Sequence, residues 1–240
     1  GHGSMPDPES APVRLAQAVA RLGQTRLPHH ATEPVRRFIE ALAAEVPFPI
    51  SRIMPLLNDR RIGFPLLDRA IRNPDQRRSF AAQLANTASP TVLRAGNKTN
   101  VIPGEASVEI DGRTLPGQTT ETFLSELGAV LGEDVELEVM RAMPPVETPH
   151  DTPLFDHLAA TLKRFDPEGI PVPYMVPGFT DAKAFSQLGT RCYGFAPVRF
   201  DPSHDIQFSK LYHGHDERIP VDGLRWGLRV LWDAVTGFCT

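Results

Sequence analysis

Two short stretches that alternate apolar and polar residues do most to limit what this chain can become. Ala106-Ser107-Val108-Glu109-Ile110-Asp111 and Val135-Glu136-Leu137-Glu138-Val139-Met140 both carry the two-residue period of a half-buried strand. Between them Phe123, Leu124, Leu127, Val130 and Leu131 recur at helical spacing, which predicts a helix over 119–131 with Thr119 or Thr120 as N-cap. Residues 91–96 read as a further strand. An opening helix carries Val13, Leu15, Ala16, Val19, Ala20 and Leu22 on one face and stops at Gly23. Residues 24–88 are Pro-rich and irregular, with helical patches at 35–46 and 79–87, and read as an insertion. The order helix, insertion, strand, strand, helix, strand points to an open antiparallel sheet with helices on one face, a ferredoxin-like α+β layer.

Pro144-Pro145 marks a boundary. Beyond it, helices are expected at 153–165, 181–188 and 221–238, and short buried-type strands at 172–176 and 191–195. Strand–helix–strand–helix is a piece of an α/β sheet, small for an independent domain. The expected organisation is therefore residues 1–144, with the helical insertion at about 24–88, followed by 145–240. A hydrophobic share of 41% against 22% charged residues suits a folded core rather than a disordered chain. The net charge of −4 and the lack of a basic stripe argue against nucleic acid or an anionic membrane as partner. No apolar run is long enough to span a bilayer, and no signal-peptide pattern opens the chain. Cys192 and Cys239 are too few for a disulfide framework, so a reducing, cytoplasmic setting is expected.

Three polar clusters carry candidate chemistry. Tyr212-His213-Gly214-His215-Asp216-Glu217-Arg218 combines imidazole with carboxylates, the usual recipe for a metal ligand and its supporting shell; a solvated charged loop reads equally well. Zinc needs three or four protein ligands from converging elements, so this loop alone does not close a site. Pro177-Gly178-Phe179-Thr180-Asp181-Ala182 reads by itself as an ordinary strand-to-helix turn with Thr180 or Asp181 as N-cap, and functionally as a helix start that aims N–H groups at a carboxylate. The segments 96–104 and 111–117 are turns that offer the Asn100 amide and the Arg113 guanidinium fork.

Gly1-His2-Gly3-Ser4-Met5-Pro6, Asn100-Val101-Ile102-Pro103, Asp111-Gly112-Arg113-Thr114-Leu115-Pro116-Gly117, Gly178-Phe179-Thr180-Asp181-Ala182 and the 212–218 cluster occur in one order with suitable spacers. Together they resemble the acetylornithine deacetylase / succinyl-diaminopimelate desuccinylase / carboxypeptidase (aminoacylase-like) family of dinuclear zinc metallopeptidases. The resemblance implies a dimerisation lid over 1–144 and the C-terminal part of an α/β catalytic domain over 145–240. It implies that His213 is a zinc ligand and that Asp216 and Glu217 support the metal site. His2 would reach the partner subunit's active site and stabilise an oxyanion, while Asn100, Arg113, Gly178 and Thr180 would contact substrate. Two zinc ions per complete site, a homodimer formed through the lid, and acyl-amino-acid or short peptide substrates follow from the same resemblance. The usual Gly-Gly-Thr-Asp is Gly178-Phe179-Thr180-Asp181 here. The family's H-x-D motif, bridging Asp and Glu-Glu pair are expected ahead of residue 1. A hydrolase portion inactive by itself is therefore the first expectation, and a non-catalytic dimerisation or binding module derived from such an enzyme is the second.

Overall fold

The computed structural model describes residues 1–204, 206, 211 and 215–239. It divides into two compact units, Gly1–Val146 with Tyr174–Lys183, and Glu147–Pro173 with Ala184–Thr240.

The first unit is mixed α+β. Helix α1 (Ala11–Gln24) begins with Pro12 in its first turn, where a missing N–H costs nothing. It runs through Gly23, the expected stop, and ends one residue later. β1 (Thr87–Ala95) and β2 (Ala106–Arg113) form an antiparallel pair from Thr87↔Arg113 to Ala95↔Ala106, with a bulge between Pro90 and Val92. Pro has no N–H to give the ladder, and a bulge is where a strand tolerates that. Helix α6 (Thr120–Leu131) starts in a reciprocal cap, with Thr119 and Thr122 each bonding the other's backbone N–H. One core joins these elements: Ala18, Leu22, Leu27, Phe123, Leu127 and Leu131 are buried, and Ala88, Ile110, Val130 and Val135 pack against them.

The segment read as irregular holds four helices and a 3-10 turn. These are α2 (Glu33–Ala44), α3 (Ile50–Ile53), the 3-10 turn Met54–Asn58, α4 (Gly63–Ala70) and α5 (Pro74–Leu84). α2 and α5 correspond to the helical patches read at 35–46 and 79–87, whereas α3 and α4, of four and eight residues, complete too few turns to display a period in sequence. These elements surround a second core of Val35, Ile39, Leu57, Leu67, Leu84, Leu115 and Met175. The helix expected to reach 87 stops at Leu84. The chain then turns through Ala85 and Asn86 into β1, because Asn86 spends its amide on tertiary bonds. Asn86, 1% exposed, donates to Glu126 Oε2 at 2.9 Å and accepts from the Leu115 N–H at 2.9 Å. Glu126 Oε1 in turn lies 2.6 Å from His30 Nε2. Insertion, sheet and α6 thus share one buried polar network.

The sheet of the described residues has two strands. Val135 is a bend and residues 136–139 have no regular structure, so the third strand expected at 135–140 is not formed among the described residues, where no neighbouring strand gives it a ladder.

In the second unit, α7 (Pro153–Phe165) is capped by Thr152, whose Oγ1 accepts from the Phe155 N–H at 3.2 Å. The last helix, α9 (Val221–Cys239), buries Val230 and Ala234, and His157 on α7 reaches the Ala234 carbonyl at 2.9 Å. A Cβ at Gly223 or Gly227 would lie 2.1 Å from the Arg199 carbonyl oxygen or 1.8 Å from that of Pro197. Backbone meets helix here with nothing between. The strands expected at 172–176 and 191–195 are not strands among the described residues. Thr148 Oγ1 instead donates to the Cys192 carbonyl at 2.7 Å, and Tyr193 Oη donates to that of Pro149 at 2.5 Å. Side-chain and loop contacts satisfy that segment where a ladder was expected. The short helix α8 (Ala182–Gln187) follows the 178–181 turn.

Candidate functional site

His2 and Asn100, far apart in sequence, lie side by side. Gly1 and Ile102 exchange both backbone bonds, at 2.9 and 2.8 Å, and the Gly3 N–H donates to the Asn100 carbonyl at 2.9 Å. His2 therefore faces Val101 in an antiparallel bridge. Gly3 permits the approach: a Cβ there would sit 3.2 Å from the Asn100 carbonyl carbon. The His2 ring is exposed and oriented by its own turn. The Ser4 N–H donates to Nδ1 at 3.2 Å, and Ser4 Oγ lies 2.8 Å from the same atom. An Nδ1 that accepts leaves the proton of neutral imidazole on Nε2, so the ring presents an N–H donor outward.

Arg113 ends β2, at the opposite end of that strand from the His2–Asn100 pair. Roughly 24 Å of strand separates Ala106 from Arg113, so one small molecule does not touch both places within one unit. Arg113 forks onto Asp111 Oδ2, from Nη2 at 2.7 Å and Nε at 3.1 Å. The 178–183 turn belongs to the same unit, and Phe179 and Lys183 line a cleft together with Asp111 and Arg113. Burial lowers the Lys183 ammonium pKa, and the like charges of Arg113 and Arg141 push it the same way against Asp111. Lys183 Nζ sits 5.6 Å from the centre of the Phe179 ring. Three cations around one carboxylate make an end of the cleft suited to an anion.

Gly178 and Thr180 are exposed, and a Cβ at Gly178 would make only an ordinary 3.4 Å contact with Val176. The turn does not demand glycine. The Thr180 carbonyl accepts the first bond of α8, from Lys183 at 3.2 Å. With six residues, α8 carries only a small dipole.

His213 lies outside the described residues. Asp216 pairs with Arg218, and Glu217 is exposed. Among the described residues no group of three His, Cys, Asp or Glu is placed to hold a metal ion. Sequence reading missed Lys183 and Arg141, since single cations in a mixed-charge chain look like solvated surface. The one available signal was the place of Lys183, three positions past Thr180 at a helix start.

Residues 1–137 match the family model described as the peptidase dimerisation domain. The chain is 31% identical over 242 residues to the N-fatty-acyl-amino acid synthase/hydrolase PM20D1 of Homo sapiens, covering 98% of this chain and 46% of the relative. The Xenopus tropicalis protein of that name is 31% identical over 93% of this chain and 43% of the relative. A probable carboxypeptidase S-like 2 of Dictyostelium discoideum is 28% identical over 92% and 41%. The chain thus spans a little under half the length of the curated relatives it matches. No solved structure gives a significant match.

Proposed function

Because the chain belongs to the M20 peptidase family through its dimerisation domain, we propose that it is the lid and C-terminal part of a zinc-dependent amide hydrolase acting on N-acyl amino acids or short peptides. Residues 1–144 form the lid in this reading and 145–240 the end of the catalytic domain. The exposed His2 ring, oriented by Ser4, carries it. An outward imidazole N–H is a donor fit for a carbonyl oxygen that gains charge during acyl transfer, and Asn100, whose backbone adjoins Gly3, is proposed as a substrate contact. Such a donor on a dimerisation domain can serve a neighbouring copy, and a homodimer is the assembly we propose.

Arg113, with Lys183 and Arg141 nearby, supplies the positive end that a substrate carboxylate seeks. Gly178 and Thr180 border the same turn. Asp216 and Glu217 belong to the loop beside His213, which is this chain's proposed zinc ligand. Bound zinc would polarise the scissile carbonyl. The described residues do not make a metal site by themselves, so the remaining ligands of the two ions and the general base come from other polypeptide in this reading. The setting we propose is cytoplasmic.

The chain alone is accordingly expected to release no amine from a panel of N-acyl amino acids with added zinc. Turnover well above background would refute the division of labour. With polypeptide carrying the H-x-D and Glu-Glu motifs supplied, hydrolysis should appear, and His2→Ala should lower kcat about 10²–10³-fold with KM little changed. Should the chain dimerise yet show no turnover when supplemented, the second reading stands: a binding module derived from the enzyme. The relatives' names, synthase/hydrolase and carboxypeptidase S-like, favour the first.

A further inference from the structure

The helical insertion differs from the rest of the chain in the sign of its charge. Residues 24–86 hold ten arginines, no lysine and six carboxylates, inside a chain whose net charge is −4. The insertion is cationic and the remainder is more acidic than the total suggests, an asymmetry that the whole-chain figure conceals.

Within the insertion, residues 47–62 leave large apolar side chains uncovered. α3 and the 3-10 turn run on without a break from Ile50 to Asn58. Met54 and Leu57 turn into the insertion's core. Ile50, Ile53 and Leu56 recur every third residue, the spacing that stacks side chains along one edge of so tight a helix. They are 50%, 41% and 44% exposed, while Phe48 ahead of them is 81% exposed and Ile62 beyond them 44%. So many neighbours in one short segment exceed the scattered apolar exposure of an ordinary surface.

Three guanidinium groups are interleaved with these side chains. Arg26, Arg36, Arg37, Arg77 and Arg78 of the insertion pair with carboxylates. Arg52, Arg60 and Arg61 are exposed and make no ion pair among the described residues. Asp59, the one carboxylate between 46 and 62, is spent on its own turn. Its Oδ1 accepts from the N–H groups of Arg61 and Ile62 at 2.8 and 3.1 Å.

We propose that residues 47–62 dock on an anionic lipid bilayer. Phe48, Ile50, Ile53 and Leu56 enter the headgroup boundary, and Arg52, Arg60 and Arg61 pair with lipid phosphates. Apolar side chains mixed with unpaired guanidinium groups match a surface that is anionic on top and apolar just beneath. A two-fold contact with a second copy fits worse, because it brings the three cations against their own duplicates. The acidic remainder is repelled by the same lipid, so the insertion leads the approach. With four residues in α3 and five in the 3-10 turn, the segment lies on the bilayer rather than spanning it. This docking does not rest on the hydrolase reading.

The test is flotation of the purified chain with phosphatidylcholine vesicles, alone or mixed with phosphatidylglycerol. Every sample carries Leu228→Ser and Trp232→Ser, since these α9 residues, 58% and 73% exposed, offer lipid a second apolar surface. On that background mixed vesicles should bind at least about tenfold more tightly than neutral ones, and raised salt should weaken the binding. Hydrogen exchange across 47–62 should slow on the mixed vesicles. Phe48→Ser with Ile50→Ser should weaken binding about tenfold or more, and Arg60→Gln with Arg61→Gln about tenfold to thirtyfold, both with the thermal midpoint unchanged. Equal binding to neutral and mixed vesicles, binding to neither, or indifference to either pair of substitutions overturns the proposal. So does a loss of self-association rather than of lipid binding in the Phe48→Ser, Ile50→Ser variant, which would give the patch to a second copy.

Discussion

His29 is the residue through which acidity should reach this fold. It is 4% exposed, its Nε2 lies 2.9 Å from the Leu57 carbonyl, and its ring packs edge-on to Phe64 at 5.1 Å. Burial lowers its pKa from the ordinary 6.5, outweighing the hydrogen bond to Leu57, so the folded ring stays neutral where an unfolded one takes a proton. Above about pH 6.5 both states are neutral and the residue makes no difference. Below it the unfolded chain binds the extra proton, and stability falls until the folded pKa is passed. The thermal midpoint should drop between pH 6.5 and 5 more steeply in the native protein than in His29→Gln; parallel curves would clear His29. Asn86 offers a second measurement. Asn86→Ala strips a partner from both Glu126 and the Leu115 N–H inside a buried network. Urea unfolding should show a loss of about 1–3 kcal/mol, and a change under half that would mean water replaces the amide.

Among the elements, α9 is held by the two glycines beneath loop carbonyls. Gly227→Ala drives a methyl into the Pro197 carbonyl and should cost about 1–3 kcal/mol or more. Gly128→Ala, in open space on α6, should instead gain about 0.5–1 kcal/mol. Equal effects in calorimetry would contradict the close approach. The same contrast shows what a sequence can display. α7 was expected at 153–165 and occupies Pro153–Phe165, because three turns show their period plainly. α3 and α4 were invisible, being four and eight residues long. Residues 135–139 display a strand's alternation and lack what composition never encodes, a neighbour in the right register. The candidate site divides in the same way. His2, Asn100 and Arg113 stood out as residue types in motifs. That His2 and Asn100 adjoin while Arg113 closes the other end of β2 is the work of backbone pairing, for which Gly3 was the sole local sign.

At the scale of the molecule, a stripe of α9 remains bare within its unit: Leu224, Leu228, Leu231, Trp232 and Val235 are between 39% and 73% exposed. These positions recur at helical spacing on one face, the pattern of a helix made to be covered. The chain alone should therefore bind a hydrophobic dye and self-associate as concentration rises, and Leu228→Ser with Trp232→Ser should reduce both in light scattering. Unchanged association would place the sticky surface elsewhere. The Pro90 bulge bears on a different hazard. An open strand margin invites foreign strands to stack on it without limit, the first step toward fibrils. By breaking β1 between Pro90 and Val92, the chain leaves that margin as two stubs, each too brief to template a growing cross-β stack.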